Sequence, residues 1–293
     1  MKRDQKIVAL KGALALAAAL ALTTTSALAS TTPVVDLTTS DSGNVTGDVG
    51  GTAIFANTVV HTSGTGVFDP FLTLERNASG GNNTYWEQAY NTDGHTALYM
   101  DEQRPEWNTR LTLGSLAQVN VGGSLYYAFI LDANEPGANK SLISIDNIRV
   151  YTSSSDNTGS VKNNINNLDN LGTLRWAMND PAVANGNLNG AQWVKLDANQ
   201  NNIGLNANGG SGYADMVVYI PVSAFGNASA SDFVWFYNLN GLEYAADPDL
   251  GAQAGYEEWK AVENIVSVPD GGTTLAMIGI AITGLGVLRR KLS

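Results

Sequence analysis

Residues 30–267 never sustain a helical spacing of apolar side chains over ten positions. Their apolar residues come in short runs, some strictly alternating, as in Leu111-Thr112-Leu113 and Ile143-Ser144-Ile145. A period of two belongs to an extended strand with one buried and one wet face. Clusters of Gly, Asn, Asp and Ser separate the runs, and these are the residues that close turns. The pattern places strands at 52–60, 67–76, 84–90, 96–100, 109–118 and 124–132, then at 142–151, 173–178, 192–197, 214–221, 233–238 and 258–266. Strands in such number, with no helices between them, predict an all-β fold. Antiparallel sheets packed face to face, as a jelly-roll-like β-sandwich, are the expected architecture. Pro221-Val222-Ser223-Ala224-Phe225 reads as a helical turn. The polar stretch 152–170 interrupts the pattern, either as a long surface loop or as an insertion with a short helix at 161–168. No internal repeat stands out.

A fold of this kind can stand on its core alone. Hydrophobic residues make up 44 % of the 293 positions, and charged residues only 15 %, against about 25 % in an average domain. The chain has no cysteine. That excludes disulfides, zinc–thiolate sites and a cysteine nucleophile. The formal net charge of −11 hides an asymmetry. Residues 1–11 and 289–293 hold seven of the 16 basic residues and, of the acidic ones, only Asp4. The rest of the chain carries 9 basic and 26 acidic residues, a net of −17. Such a surface repels nucleic-acid phosphates, which excludes that class of partner. It suits a solvated extracellular protein, and structural calcium is the one cofactor it leaves open.

The two ends read as addresses. Lys2, Arg3, Lys6 and Lys11 form a basic start, and residues 12–22 are apolar. Ala27-Leu28-Ala29 then fits the small-x-small rule of a signal-peptide cleavage site, with Ser30 as the new terminus. Residues 1–29 are thus a signal peptide, 30–267 an ectodomain and 268–293 a tail. In that tail Val268-Pro269-Asp270-Gly271-Gly272 precedes an uncharged stretch, and Arg289-Arg290-Lys291 closes it. As a helix, residues 271–288 would reach about 27 Å at 1.5 Å per residue. That is marginal for a hydrocarbon core of about 30 Å, and snorkelling basic side chains close the gap. The positive-inside rule keeps the basic cluster in the cytoplasm and leaves the ectodomain outside. Pro269 cannot donate a hydrogen bond, and Gly271-Gly272 resists helix formation. The segment just outside the membrane is therefore expected to be extended and open to a processing enzyme.

This three-part tail resembles the PEP-CTERM class of sorting signals, in its VPDSG-type variant. The resemblance implies recognition by an exosortase, a membrane-embedded protease/transpeptidase-like enzyme, in a host that makes extracellular polysaccharide. On it, Val268, Pro269, Asp270, Gly271 and Gly272 are the sorting motif, and Arg289, Arg290 and Lys291 the basic stop. Gly271 stands where the variant's name has Ser. Three ectodomain blocks, Gly66-Val67-Phe68-Asp69-Pro70-Phe71, Phe129-Ile130-Leu131-Asp132-Ala133-Asn134 and Gly255-Tyr256-Glu257-Glu258-Trp259, also resemble stretches of uncharacterised PEP-CTERM proteins. That likeness implies a shared exported sandwich and no particular activity.

Little in the ectodomain carries chemistry. His61 and His95 are the only histidines, and no G-x-S-x-G elbow, H-E-x-x-H, Walker motif or G-x-G-x-x-G occurs. Catalytic and metal-ligating residues are therefore not assigned. Glycoside hydrolysis needs only two carboxyl groups. Asp101 with Glu106 and Glu257 with Glu258 are candidates, with no diagnostic spacing. Asp132-Ala133-Asn134-Glu135 and Asp197-Ala198-Asn199-Gln200-Asn201 offer oxygen ligands after strands, but both lack the Gly and Glu of an EF-hand. Turn formation accounts for them, with calcium as the alternative. Of Trp86, Trp107, Trp176, Trp193, Trp235 and Trp259, most belong to the core. Trp235 sits in an apolar run, whereas Trp107 follows Pro105 and Glu106 in a polar loop and is expected to be exposed. Together these features predict an exported, exosortase-sorted surface or extracellular-matrix protein. Its expected role is structural, adhesive or weakly polysaccharide-binding, without enzymatic activity. The alternative is a carbohydrate-active hydrolase on the same fold.

Overall fold

The computed structural model describes residues 32–57, 69–76, 85–94, 97–135, 140–180, 192–198, 214–253 and 255–264. In chain order its strands are β1 (Val35–Asp36), β2 (Ser42–Thr46), β3 (Thr52–Ala56), β4 (Leu72–Leu74) and β5 (Glu87–Tyr90). There follow β6 (Leu111–Thr112), β7 (Gln118–Val121), β8 (Ser124–Ala133), β9 (Leu142–Ser153) and β10 (Thr173–Ala177). The last are β11 (Val194–Asp197), β12 (Met216–Pro221), β13 (Phe233–Asn240) and β14 (Glu257–Ala261).

These strands form two sheets. The first runs β1-β11-β9-β13-β5, with β10 on β9 and β6 on β13. The second runs β2-β3-β12-β8-β14-β4, with β7 on β8. Alternation dictates which side chains meet between them. Tyr127, Phe129, Leu131 and Ala133 of β8, Met216, Val218 and Ile220 of β12, and Val234 and Phe236 of β13 all enter one shared core. At its centre Phe236 touches Phe71, Phe129 and Trp259, with ring centroids 5.5, 4.9 and 4.7 Å apart.

The structure corrects several expectations. Not every pair is antiparallel, because β1 runs parallel to β11. No strand forms at 97–100. There the backbone turns to serve Glu102, whose Oε2 accepts from Tyr99 N at 2.9 Å, and Met100 takes a φ of 60°. The run at 109–118 breaks after Thr112, where a 3₁₀ turn at Leu113–Ser115 sends Gly114 N to Ala230 O at 2.8 Å. Strands β1, β2 and β7 were not anticipated.

The stretch 152–170 is helix-bearing, although its helices are not placed as expected. Asp156 Oδ1 accepts from Thr158 N and Oγ1 at 3.0 and 2.7 Å, opening α1 (Thr158–Val161). A 3₁₀ segment at Ile165–Leu171 follows. Val161, Ile165, Leu168 and Leu171 are buried against Trp235, Tyr237 and Tyr151 on the outer face of the first sheet. The expected helical turn is present at Val222–Phe225.

Candidate functional site

The edge formed by β4, β5 and β14 concentrates the polar and aromatic chemistry of the described residues. Below the surface, β5 sends Glu87 inward and β14 sends Glu257 inward from the opposite sheet. Both are about 1 % exposed. Burial penalises the charged form and raises both carboxyl groups, Glu257 well above its usual range. The two carboxyls lie close enough to interact directly, and the charge of Glu87 adds to the upward push on Glu257. Glu87 Oε1 also accepts from Asn240 Nδ2 at 3.1 Å. Asn240 Oδ1 accepts from Asn238 Nδ2 at 2.9 Å, and Asn238 Oδ1 accepts from Trp259 Nε1 at 2.9 Å. A continuous polar thread thus crosses the core from one sheet to the other.

Above that thread lies an aromatic and cationic surface. Tyr256 immediately precedes β14, and the Arg104 guanidinium lies 4.8 Å from its ring centroid and 5.7 Å from that of Trp107. Trp107 meets Tyr256 edge to face at 6.5 Å and is 36 % exposed. Beside them Tyr85 and Tyr244 stack at 3.8 Å, and the Arg76 guanidinium covers Tyr85 at 4.7 Å. The two groups are joined through one loop, since Arg76 Nη2 donates to Gln253 O at 3.5 Å. Rings held by other rings and by guanidinium groups lose little freedom on meeting a flat ligand.

Local sequence holds this loop in place. Asn134 Nδ2 donates to Tyr256 O at 2.7 Å, and Glu135 takes Gln253 N on both carboxylate oxygens at 3.0 Å. Gly255 has φ +93°, and a Cβ there would strike Asn134 O. Asn134 and Glu135, offered by the sequence as turn residues or calcium ligands, thus act as long-range clamps on this loop.

The remaining candidates are dispersed. Asp101 takes Gln88 N at 2.9 Å, while Glu106 is exposed in the 3₁₀ turn Pro105–Trp107. Glu257 and Glu258 are neighbours on one strand and face opposite ways, so neither expected pair forms a two-carboxyl centre. Asp132 and Asp197 both act on Asp215, whose carboxyl is raised first by burial and then by those charges. Asp215 itself accepts from Ala133 N at 2.8 Å. Among the described residues, no group of three or more His, Cys, Asp or Glu is arranged to hold a metal. Trp235 is buried as expected, with Trp176, Trp193 and Trp259. An open groove of about 550 Å³ lies beside Gly51, Tyr126 and Pro221, and no charged side chain lines it.

His61, His95, Asn199, Asn201, the cleavage residues Ala27, Ala29 and Ser30, the motif Val268 to Gly272 and the basic stop Arg289, Arg290 and Lys291 lie outside the described residues. Among the described residues no helix is long and apolar enough to cross a membrane.

Residues 267–292 match the VPDSG-CTERM motif. The match covers the tail identified from the Pro-Asp-Gly-Gly segment and supports a PEP-CTERM-like sorting signal. The motif suggests export and sorting to the cell surface. No curated protein and no solved structure matches the chain.

Proposed function

We propose that this chain is an exosortase substrate whose ectodomain, a jelly-roll-like sandwich, binds polysaccharide at the cell surface or in the extracellular matrix. The signal peptide at 1–29 starts export. The helix at 271–288 holds the chain in the membrane while Val268 to Gly272 is recognised. The sorting half of the reading rests on the motif at 267–292.

The binding half rests on one observation, the joined surface of Trp107, Tyr256, Tyr85 and Tyr244 with Arg104 and Arg76. Aromatic faces stack on the apolar faces of sugar rings, and guanidinium groups bond hydroxyl and carboxylate oxygens bidentately. Glu87 and Glu257 argue against the hydrolase alternative. Hydrolysis requires carboxyl groups about 5–9.5 Å apart across an open cleft. These two face each other in the core, sealed from solvent.

Affinity electrophoresis of the full chain in gels containing polysaccharides, including the host's own, tests the binding half. Retardation lost in Trp107→Ala is the expected result. Migration unchanged by every polysaccharide would overturn it, and release of reducing ends would move the reading to the hydrolase. For sorting, replacement of both Pro269 and Asp270 should abolish processing, and unchanged processing would refute it.

A further inference from the structure

Asp146 and Glu243 form a second carboxyl pair, outside the aromatic surface and outside the Glu87–Glu257 thread. Asp146 lies at a register shift of β9 against β13, where Leu239 pairs with Asn147 but Asn240 pairs with Ile145. It is the extra residue of a β-bulge, and bulges re-aim side chains. Its Oδ2 accepts from Leu242 N at 2.7 Å and lies 3.0 Å from Ser144 Oγ. The same Ser144 hydroxyl accepts from Glu243 N at 3.3 Å. Gly241 makes this possible with φ +82°, because a Cβ there would strike Tyr85 O. Bulge and 3₁₀ turn thus tie the Asp146 carboxyl and the Glu243 backbone to the same Ser144 hydroxyl.

What this unit lacks is a partner for its outward oxygens. Asp146 is 0 % exposed and Glu243 1 % exposed. Asp146 Oδ1, Glu243 Oε1 and Glu243 Oε2 have no hydrogen-bond partner. Buried polar atoms are almost always paired, and leaving one orphaned costs about 1–3 kcal/mol. Three orphaned oxygens on two buried acids, one acting electrostatically on the other, make a buried centre of uncompensated anionic character. Among the described residues the one charged group that acts on Asp146 is Glu243, of the same sign. Protonation relieves only part of the deficit, since one O–H shared between the acids pairs one donor with one acceptor and leaves the third oxygen without a partner.

We propose that Asp146 and Glu243 bind one calcium ion, with Asp146 Oδ1 and the Glu243 carboxylate as ligands. Every atom on offer is a hard oxygen donor, including the neighbouring Ser144 hydroxyl and Leu250 carbonyl, 3.3 Å apart. That set suits calcium, which accepts six to eight oxygens in irregular geometry, better than magnesium, which keeps its waters and an octahedron. A dication balances the two carboxylates and satisfies all three orphaned oxygens. It also pins the 3₁₀ turn Leu242–Ala245, which carries Tyr244 to its stack on Tyr85.

Terbium luminescence sensitised by nearby aromatic residues, with calcium as competitor, tests this on the full chain without any glycan. The expected result is one displaceable ion per chain. Calcium at a hundredfold excess over its Kd should raise Tm by about 5–10 °C relative to chelator. Glu243→Gln should lose both signals, Glu243→Asp should weaken them, and Glu102→Gln, a buried carboxyl elsewhere, should keep them. No luminescence and no calcium-dependent Tm in the native chain would overturn the proposal, whatever the variants do. So would an equal response to magnesium, or an undiminished calcium response in Glu243→Gln.

Discussion

Asp146→Asn should change sign in its effect on stability with pH and with calcium. Burial pushes the Asp146 carboxyl up to about 8 from an ordinary 3.8, and the charge of Glu243 adds to the shift. A folded-state pKa above the unfolded one means that the native state holds the proton more tightly. Its contribution is therefore whole below about pH 4 and drains away as pH rises through about 8. At about 1.4 kcal/mol per pKa unit, the loss across that window is about 6 kcal/mol at most. Asn carries the neutral form at every pH. In chelator the variant should match the native chain near pH 4.5 and exceed it at pH 8. In calcium the native carboxylate is neutralised by the ion, and the order at pH 8 should reverse. Urea unfolding at pH 4.5 and 8, each with calcium and with chelator, measures all four states. A native chain as stable at pH 8 as at pH 4.5 in chelator would refute the burial argument. A variant less stable than the native chain at pH 8 in both media would refute it as well.

Three further outcomes are expected. Glu257→Ala removes the buried carboxyl that faces Glu87 and leaves Glu87 at a cavity, at a cost of about 3 kcal/mol or more. Glu257→Gln keeps the donor to Glu87 and should cost less than half as much, and thermal melts of the two variants decide it. Gly255→Ala forces a side chain into positive φ and against Asn134 O; a loss of about 1–3 kcal/mol in chemical denaturation is expected. Asn238→Ala strands the buried Trp259 Nε1, for a loss of about 1–3 kcal/mol and a changed tryptophan emission.

The strands that carry the core were legible in the sequence because each has one apolar face of its own. Tyr127, Phe129 and Leu131 announce β8, and Val234 and Phe236 announce β13. Strand β2 has no such face. In Ser42-Gly43-Asn44-Val45-Thr46 only Val45 is buried, and pairing with β3 makes the segment a strand. Its edge position, with Gly43 packed under Val35, is a tertiary fact with no local periodicity to reveal it. The strand expected at 96–100 failed for the complementary reason. Thr92 and Tyr99 commit their amides to the Glu102 carboxylate, which leaves no free ladder.

The sites divide along the same line. Exposure of Trp107 was readable from Pro105 and Glu106 beside it, because neighbours in sequence set that local polarity. Its ring partner Tyr256 was not, since that residue lies 149 positions away and only the fold brings the two together. The adjacent Glu257 and Glu258 looked like a candidate carboxyl pair, yet the partner of Glu257 is Glu87 on the facing sheet. Asp146 did leave a local trace. In Ile143-Ser144-Ile145-Asp146-Asn147-Ile148 the strict alternation breaks at two successive polar residues. A stepped period inside a strand marks a bulge, and a carboxyl there is turned out of the face its neighbours share. The trace lay in the rhythm of the strand and not in any Asp-rich cluster. The clusters after β8 and β11 drew the calcium reading, but the Glu135 carboxylate is taken up by the Gln253 amide, and Asp132 and Asp197 act on Asp215. The orphaned oxygens belong to a strand whose sequence otherwise reads as core.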